Sequence, residues 1–128
     1  MKIEGLAELL ERLNGEDLNE FAEALVNRLA ADALRNVRFL TPIKSGRLRR
    51  EWTAERAVKL GHTYRAAVKN PVKYAPYVEY GHRFPKRRDG SRKPGWVEGR
   101  FMLTRAVRQT EGEAAETARS LINERRNN

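Results

Sequence analysis

Within the thirteen residues KYAPYVEYGHRFP, Lys73 to Pro85, lie three of the chain's four tyrosines, the carboxylate of Glu79 and the imidazole of His82. Such a concentration could build an acid–base pocket, a platform for stacking bases, or a structural turn. Acid–base or nucleophilic chemistry beside the tyrosines would draw on Glu51, Glu55, Glu79 and Ser45. None of these sits in a nucleophile elbow, a phosphate-cradling glycine loop or another catalytic signature. Metal binding would need converging His, Asp, Glu or Cys, yet the chain has two histidines, His62 and His82, on different elements, and no cysteine. The expectation is therefore a non-enzymatic chain without cofactor or metal. His62 reads as a turn residue and His82 as a solvated residue after a helix end. Tyr74, Tyr77 and Val78 recur at three- and four-residue spacing, which predicts a buried helical face. Glu79 is then expected to pair with one of the many arginines, and Gly81 to end the helical turn.

The elements that must position this stretch can be traced by periodicity. Ile3, Leu6, Leu9, Leu10 and Leu13 predict a short amphipathic helix, closed by the turn residues NGED. From Glu16 to Leu40, the set Leu18, Phe21, Leu25, Leu29, Ala33, Val37 and Leu40 keeps helical steps and predicts the longest helix. Pro42 removes an amide donor and pushes Thr41 away from helical angles, so the helix stops at TPIKSG. RLRREW is either a brief helix or already strand. Trp52, Ala54, Arg56, Val58 and Leu60 then alternate with polar or small neighbours. Tyr64, Ala66 and Val68 alternate again after Gly61-His62, which predicts a β-hairpin over about 52–69 closed by Asn70-Pro71. Phe101, Leu103, Val107, Ala114, Ala118, Leu121 and Ile122 predict a long final helix, weakened at Gly112 and fraying into a polar tail.

Length and composition bound the rest. A chain of 128 residues forms one domain, 1–128, around a single modest core. No run is long and apolar enough to span a membrane, and Met1 opens directly onto an amphipathic pattern, so a soluble protein made in the cytoplasm is expected. With 26 basic against 17 acidic residues the net charge is +9, which favours contact with nucleic acid or an acidic partner. Arg35, Arg38, Lys44, Arg47, Arg49 and Arg50 form one basic run without an acid. Arg83, Lys86, Arg87, Arg88, Arg92 and Lys93 form a second, opposed by Asp89 alone and punctuated by Pro85, Gly90, Pro94 and Gly95. With hardly an apolar side chain of its own, the segment 83–95 is expected to be a flexible, extended basic loop. The fold class is α+β: a small antiparallel sheet packed against a long N-terminal and a C-terminal helix. A small basic nucleic-acid-binding protein without sequence specificity is one function such a chain could have.

The order TPIKSGRLRREW, hairpin, NPVKYAPYVEYGHR, basic glycine-containing loop and RFMLTRAV resembles the tailed-bacteriophage head–tail joining proteins, the gene-product-ten-like tail components related to minor tail and tail-completion proteins. The marks that carry the resemblance are Thr41, Pro42, Ser45, Gly46 and Leu48. They are followed by Tyr74, Ala75, Tyr77, Val78, Glu79, Tyr80 and Gly81, with Phe101 as the aromatic opening the last helix. The resemblance implies a structural virion protein, assembled in the host cytoplasm, that forms a ring of six or twelve copies at the neck. Its implied partners are its own copies, the head–tail connector, the tail terminator or tail tube, and the genomic DNA passing through the channel. Arg47, Arg49 and Arg50 would either line that channel or meet acidic helices of a neighbour. The cations from Arg83 to Lys93 would face DNA or an acidic tail protein.

Overall fold

A computed structural model describes the backbone of residues 15–43 and 46–126. The expected helix over Ile3 to Leu13, together with Lys44 and Ser45, lies outside the described residues. Helix α1 (Gly15–Leu40) buries Phe21, Leu25, Leu29, Ala33 and Val37, which follow one another at four-residue steps along one stripe. Its C-terminal carbonyls, which no helical amide can reach, each find another donor. The Thr41 hydroxyl donates to Val37 O, while the Arg49 guanidinium donates to Arg38 O at 2.6 Å and to Phe39 O at 3.4 Å. A cation at this end also complements the helix dipole. RLRREW begins as a single helical turn, α2 (Arg47–Arg50), which buries Leu48 and brings Trp52 inward.

The hairpin is built from two ladders, with β1 (Thr53–Ala54) against β4 (Val68–Lys69) and β2 (Val58–Leu60) against β3 (Thr63–Arg65). Gly61, at φ 65°, and His62 form the connection, as the spacing predicts. The two ladders are not in one continuous register. Ala54 pairs with Val68 and Val58 pairs with Arg65, so Glu55, Arg56 and Ala57 stand opposite only Ala66 and Ala67. This is a β-bulge, and one extra residue sends every later side chain on that strand to the other face. The alternation expected to place Val58 and Leu60 on the same side as Trp52 is thus corrected. Trp52 is buried, whereas Val58 and Leu60 are more than half exposed, and Lys59 takes the Tyr64 side with its Nζ 5.9 Å from the ring centre. Glu55 N donates to Ala67 O at 2.8 Å across the bulge, and Ala57 N donates to Asn27 Oδ1 of α1 at 2.7 Å.

After Asn70, helix α3 (Ala75–Tyr80) starts on Pro76 and ends at Gly81. A second hairpin follows, β5 (Gly81–Arg83) against β6 (Trp96–Glu98), and then helix α4 (Met102–Arg126), unbroken at Gly112. Helix α4 runs antiparallel to α1 and packs along most of its length. The core has two parts. Val37, Leu48, Trp52, Val72, Ala75, Met102 and Ala106 form one; Phe21, Leu25, Leu29, Ala114, Ala118 and Leu121 form the other. Between them sits a buried polar contact: Asn36 Nδ2 donates to Thr110 Oγ1 at 3.1 Å, and that hydroxyl donates to Ala106 O at 2.8 Å. A satisfied polar pair in an apolar seam favours one axial register of the helices, because sliding either helix would strand both groups.

Thr41 has a second task. Its hydroxyl oxygen accepts the indole N–H of Trp52 at 2.8 Å, and both residues are buried. Thr41→Val keeps the shape but leaves that N–H without an acceptor. We expect a loss of about 1–3 kcal/mol, measured by urea unfolding with an unchanged m-value; stability equal to the parent would show that the bond contributes nothing net.

Candidate interaction surface

Helix α4 opens on Arg100, Phe101, Met102, Leu103 and Thr104, with no Ser, Thr, Asp or Asn at the residue preceding the helix. Its first amides therefore need an acceptor from elsewhere in the chain. Glu79 supplies it. Leu103 N donates to Glu79 Oε1 at 2.8 Å, while Thr104 N and the Thr104 hydroxyl donate to Oε2 at 3.0 and 2.7 Å. Glu79 is buried, and its charge lies at the positive end of the α4 dipole. The expected pairing with an arginine is overturned: the partner of this carboxylate is a helix end.

The main chain around Glu79 is bound just as closely. Arg100 N donates to Val78 O at 2.7 Å and Phe101 N to Glu79 O at 3.0 Å, joining the α3 exit to the α4 entry. The two chains approach so tightly that a Cβ on Gly81 would collide with Val97 O, and one on Gly99 with Glu79 O. Gly81 also holds φ 88° and ψ 175°, a conformation open essentially to glycine alone. Phe101, at φ 48°, is the non-glycine residue with positive φ, and its ring packs edge-on against Tyr80 with centroids 6.4 Å apart.

Because Glu79 takes the inward position, the buried side of α3 is Val72, Ala75 and Glu79, with Val78 half-buried. The tyrosines expected to form that side face outward instead: Tyr77 is 59% exposed, Tyr80 61% and Tyr74 37%. Together with Trp96, His82, Phe84, Arg83 and Arg92, Tyr74 and Tyr77 line an open cleft of about 760 Å³. The edge of His82 meets the Tyr77 ring with centroids 6.0 Å apart, and its Nδ1–H donates to Arg83 O at 2.6 Å. A second concavity, about 630 Å³, lies between α1, the inner side of the first hairpin and the start of α4. Its lining is mostly apolar, with His62, Arg65 and Glu111 among the residues around it. Neither concavity gathers the groups a catalytic site needs. Glu55 is ion-paired with Lys69 across the first hairpin, Glu51 is exposed after α2, and Glu79 is a cap. Among the described residues there is no group of three or more His, Cys, Asp or Glu able to hold a metal ion.

The basic segment 83–95 does not lack local structure, as its composition suggests, but forms the outer part of a β-ribbon. Past β5 and β6, Lys86 and Arg92 form an antiparallel bridge, and Arg87 N donates to Ser91 O at 2.7 Å around a turn at Asp89-Gly90. The Ser91 hydroxyl and amide donate to Asp89 Oδ1 at 2.6 and 2.8 Å and hold its carboxyl below the usual carboxylate range, so the turn keeps its acceptor charged at neutral pH. Lys93 Nζ lies 4.8 Å from the centre of the Phe84 ring. Arg83, Lys86, Arg87, Arg88, Arg92 and Lys93 are all exposed, and none meets a carboxylate among the described residues. The other basic run is divided: Arg49 closes the end of α1, whereas Arg47 and Arg50 are exposed on α2. Of the motif residues, Thr41, Leu48, Ala75 and Gly81 are buried, Pro42 and Gly46 flank the α1–α2 junction, and Phe101 precedes α4. What residue spacing missed was the role of Glu79, and the missing local cap of α4 was the signal that could have found it.

Two substitutions separate the buried from the exposed members of this motif. Glu79→Ala should cost about 2–4 kcal/mol, since a cap and a partly buried set of donors are lost together, with Glu79→Gln intermediate; equal unfolding midpoints for all three proteins would dismiss the cap. Tyr77→Ala should change stability by no more than about 0.5 kcal/mol, and a fall of several kcal/mol in thermal unfolding would put that ring back in the core.

Compared with known families, the chain matches the model described as "Bacteriophage HK97-gp10, putative tail-component" over residues 4–81. No curated protein and no solved structure gave a match.

Proposed function

The chain belongs to the bacteriophage HK97-gp10-like family of tail components, and on that premise we propose that it is a structural ring at the head–tail interface, joining the capsid connector to the tail around the DNA passage. A tail component is part of the virion, and a non-catalytic role follows from that place. The observation that carries the proposal is the set of large apolar side chains left outside on projecting elements. Phe39 and Ile43 stand at the end of α1, Val58 and Leu60 on the outer side of the first hairpin, and Tyr77, Tyr80 and Trp96 around the base of the second. Contiguous apolar surface of this kind marks contact with other proteins, and these residues lie on elements far apart in sequence. Different patches meeting between identical copies make a heterologous contact, which closes into a ring when the rotation allows. A net charge of +9 gives such a ring a favourable field for the DNA that crosses it.

The bulge supports this reading because it exposes Val58 and Leu60 while leaving the hairpin attached to α1 through Asn27. An edge presented away from the core is available to a neighbour without loss of the subunit's own packing.

Deleting the gene and viewing the lysate by electron microscopy should reveal DNA-filled heads and completed tails side by side, unjoined, with joining restored by the gene supplied in trans. Normal joined particles from the deletion would refute the proposal.

A further inference from the structure

The six cations of the second hairpin and the unpaired acids of the long helices lie at opposite ends of the molecule. The hairpin is rooted where α3 meets the start of α4, beside the core part that contains Val37 and Met102. The other core part, around Phe21 and Leu121, lies at the far end of the helix pair. From Val37 back to Phe21, α1 rises about 24 Å at roughly 1.5 Å per residue. At that far end Glu20 and Glu23 on α1, and Glu111 and Glu113 on α4, are exposed and make no salt bridge among the described residues. Their neighbours Glu116 and Glu124 are already paired, with Arg119 and Arg28.

We propose that the basic β-ribbon of one copy docks on the acidic far end of the α1–α4 pair of the next copy, making the charged part of a head-to-tail contact. The inference rests on the ring reading and adds which surfaces meet. Three observations favour a second copy as the occupant. The ribbon is held in shape by its own bridge and its Asp89–Ser91 turn, so its cations are displayed in a fixed arrangement. They find no carboxylate within their own subunit, and the acids of the far end find no cation. Opposite charges on opposite ends are self-complementary only between copies, and a contact of that type repeats around a ring. Complementary charge sets register and encounter rate, while the neighbouring apolar residues supply most of the affinity.

Reversing charge tests the pairing on the full chain. Arg87→Glu with Arg88→Glu alters the ribbon, and Glu111→Lys with Glu113→Lys alters the far end; all four positions are exposed, and circular dichroism would verify that each variant is folded. In sedimentation velocity over a salt series, the parent should self-associate more weakly as salt rises, and each reversed variant should associate about tenfold more weakly at low salt. An equimolar mixture of the two variants should recover parental association, because the acidic ribbon of one then faces the basic end of the other. The inference is overturned if the ribbon variant associates like the parent, if mixing restores nothing, or if the parent stays monomeric throughout. It is also overturned if the ribbon variant loses only the retention of duplex DNA on a filter, which would make phosphate the true partner. Rings formed equally by parent and ribbon variant would sink this docking and leave the ring standing; a parent that docks as described but is dispensable for head–tail joining would do the reverse.

Discussion

A helix that begins without a local cap must be capped by tertiary structure, and in this protein that requirement fixes the architecture around it. The amides of Leu103 and Thr104 and the Thr104 hydroxyl converge on one buried carboxylate, Glu79, twenty-four residues earlier in the chain. A charge this far from water is tolerable because each oxygen has a donor and because the dipole of α4 presents its positive end. The consequence runs outward in both directions. Glu79 must sit on the inner side of α3, which turns Tyr74, Tyr77 and Tyr80 toward solvent. The chain leaving α3 and the chain entering α4 must pass in close contact, which requires Gly81 and Gly99 and starts the ribbon that carries the basic side chains.

The same cap sets where α4 begins, and so where each later residue meets α1. Two turns on, Thr110 reaches Asn36; further along, Ala114 and Ala118 fit against Phe21, Leu25 and Leu29. Small residues on α4 against large ones on α1 let the helices approach, and the polar pair opposes a shift by one turn. At the other end of α1, Thr41 joins the helix terminus to Trp52, and Arg49 closes the last carbonyls. The threonine-proline sequence thus ends the helix, and its hydroxyl also ties the end to the core.

Much of this was legible in the residues, and the misses have a common cause. Helical spacing located α1 and α4, Pro42 marked the first stop, and Gly61-His62 marked the hairpin turn, because each depends on neighbours in sequence. The outward turn of Val58 and Leu60 was not legible, since it depends on a bulge whose spare amide at Ala57 is satisfied by Asn27, thirty residues away. Nor was the partner of Glu79, for the same reason. Periodicity ranks the tyrosines above a glutamate for burial, and the α4 amides reverse that order by offering the carboxylate more than the α3 side could offer a ring. The ribbon was hidden by composition: Arg, Lys, Gly and Pro suggest a loop, whereas backbone pairing rooted on the α3–α4 junction makes it a hairpin.

Taken together, the folded chain reverses the usual placement at several positions. Glu79, Asn36, Thr41 and Thr110 are inside, while Trp96, Tyr77, Leu60, Val58 and Phe39 are outside. The polar groups inside are accounted for, since no buried side-chain nitrogen or oxygen among the described residues lacks a partner. The apolar groups outside have no such account within one subunit, and burying them would stabilise a contact by roughly 25 cal/mol for each Å² removed from water. Selection for the stability of an isolated domain would place polar residues at Val58, Leu60 and Trp96. Their presence on projecting hairpins, beside cations that find no carboxylate of their own, is what a subunit requires when part of its packing is completed by its neighbours.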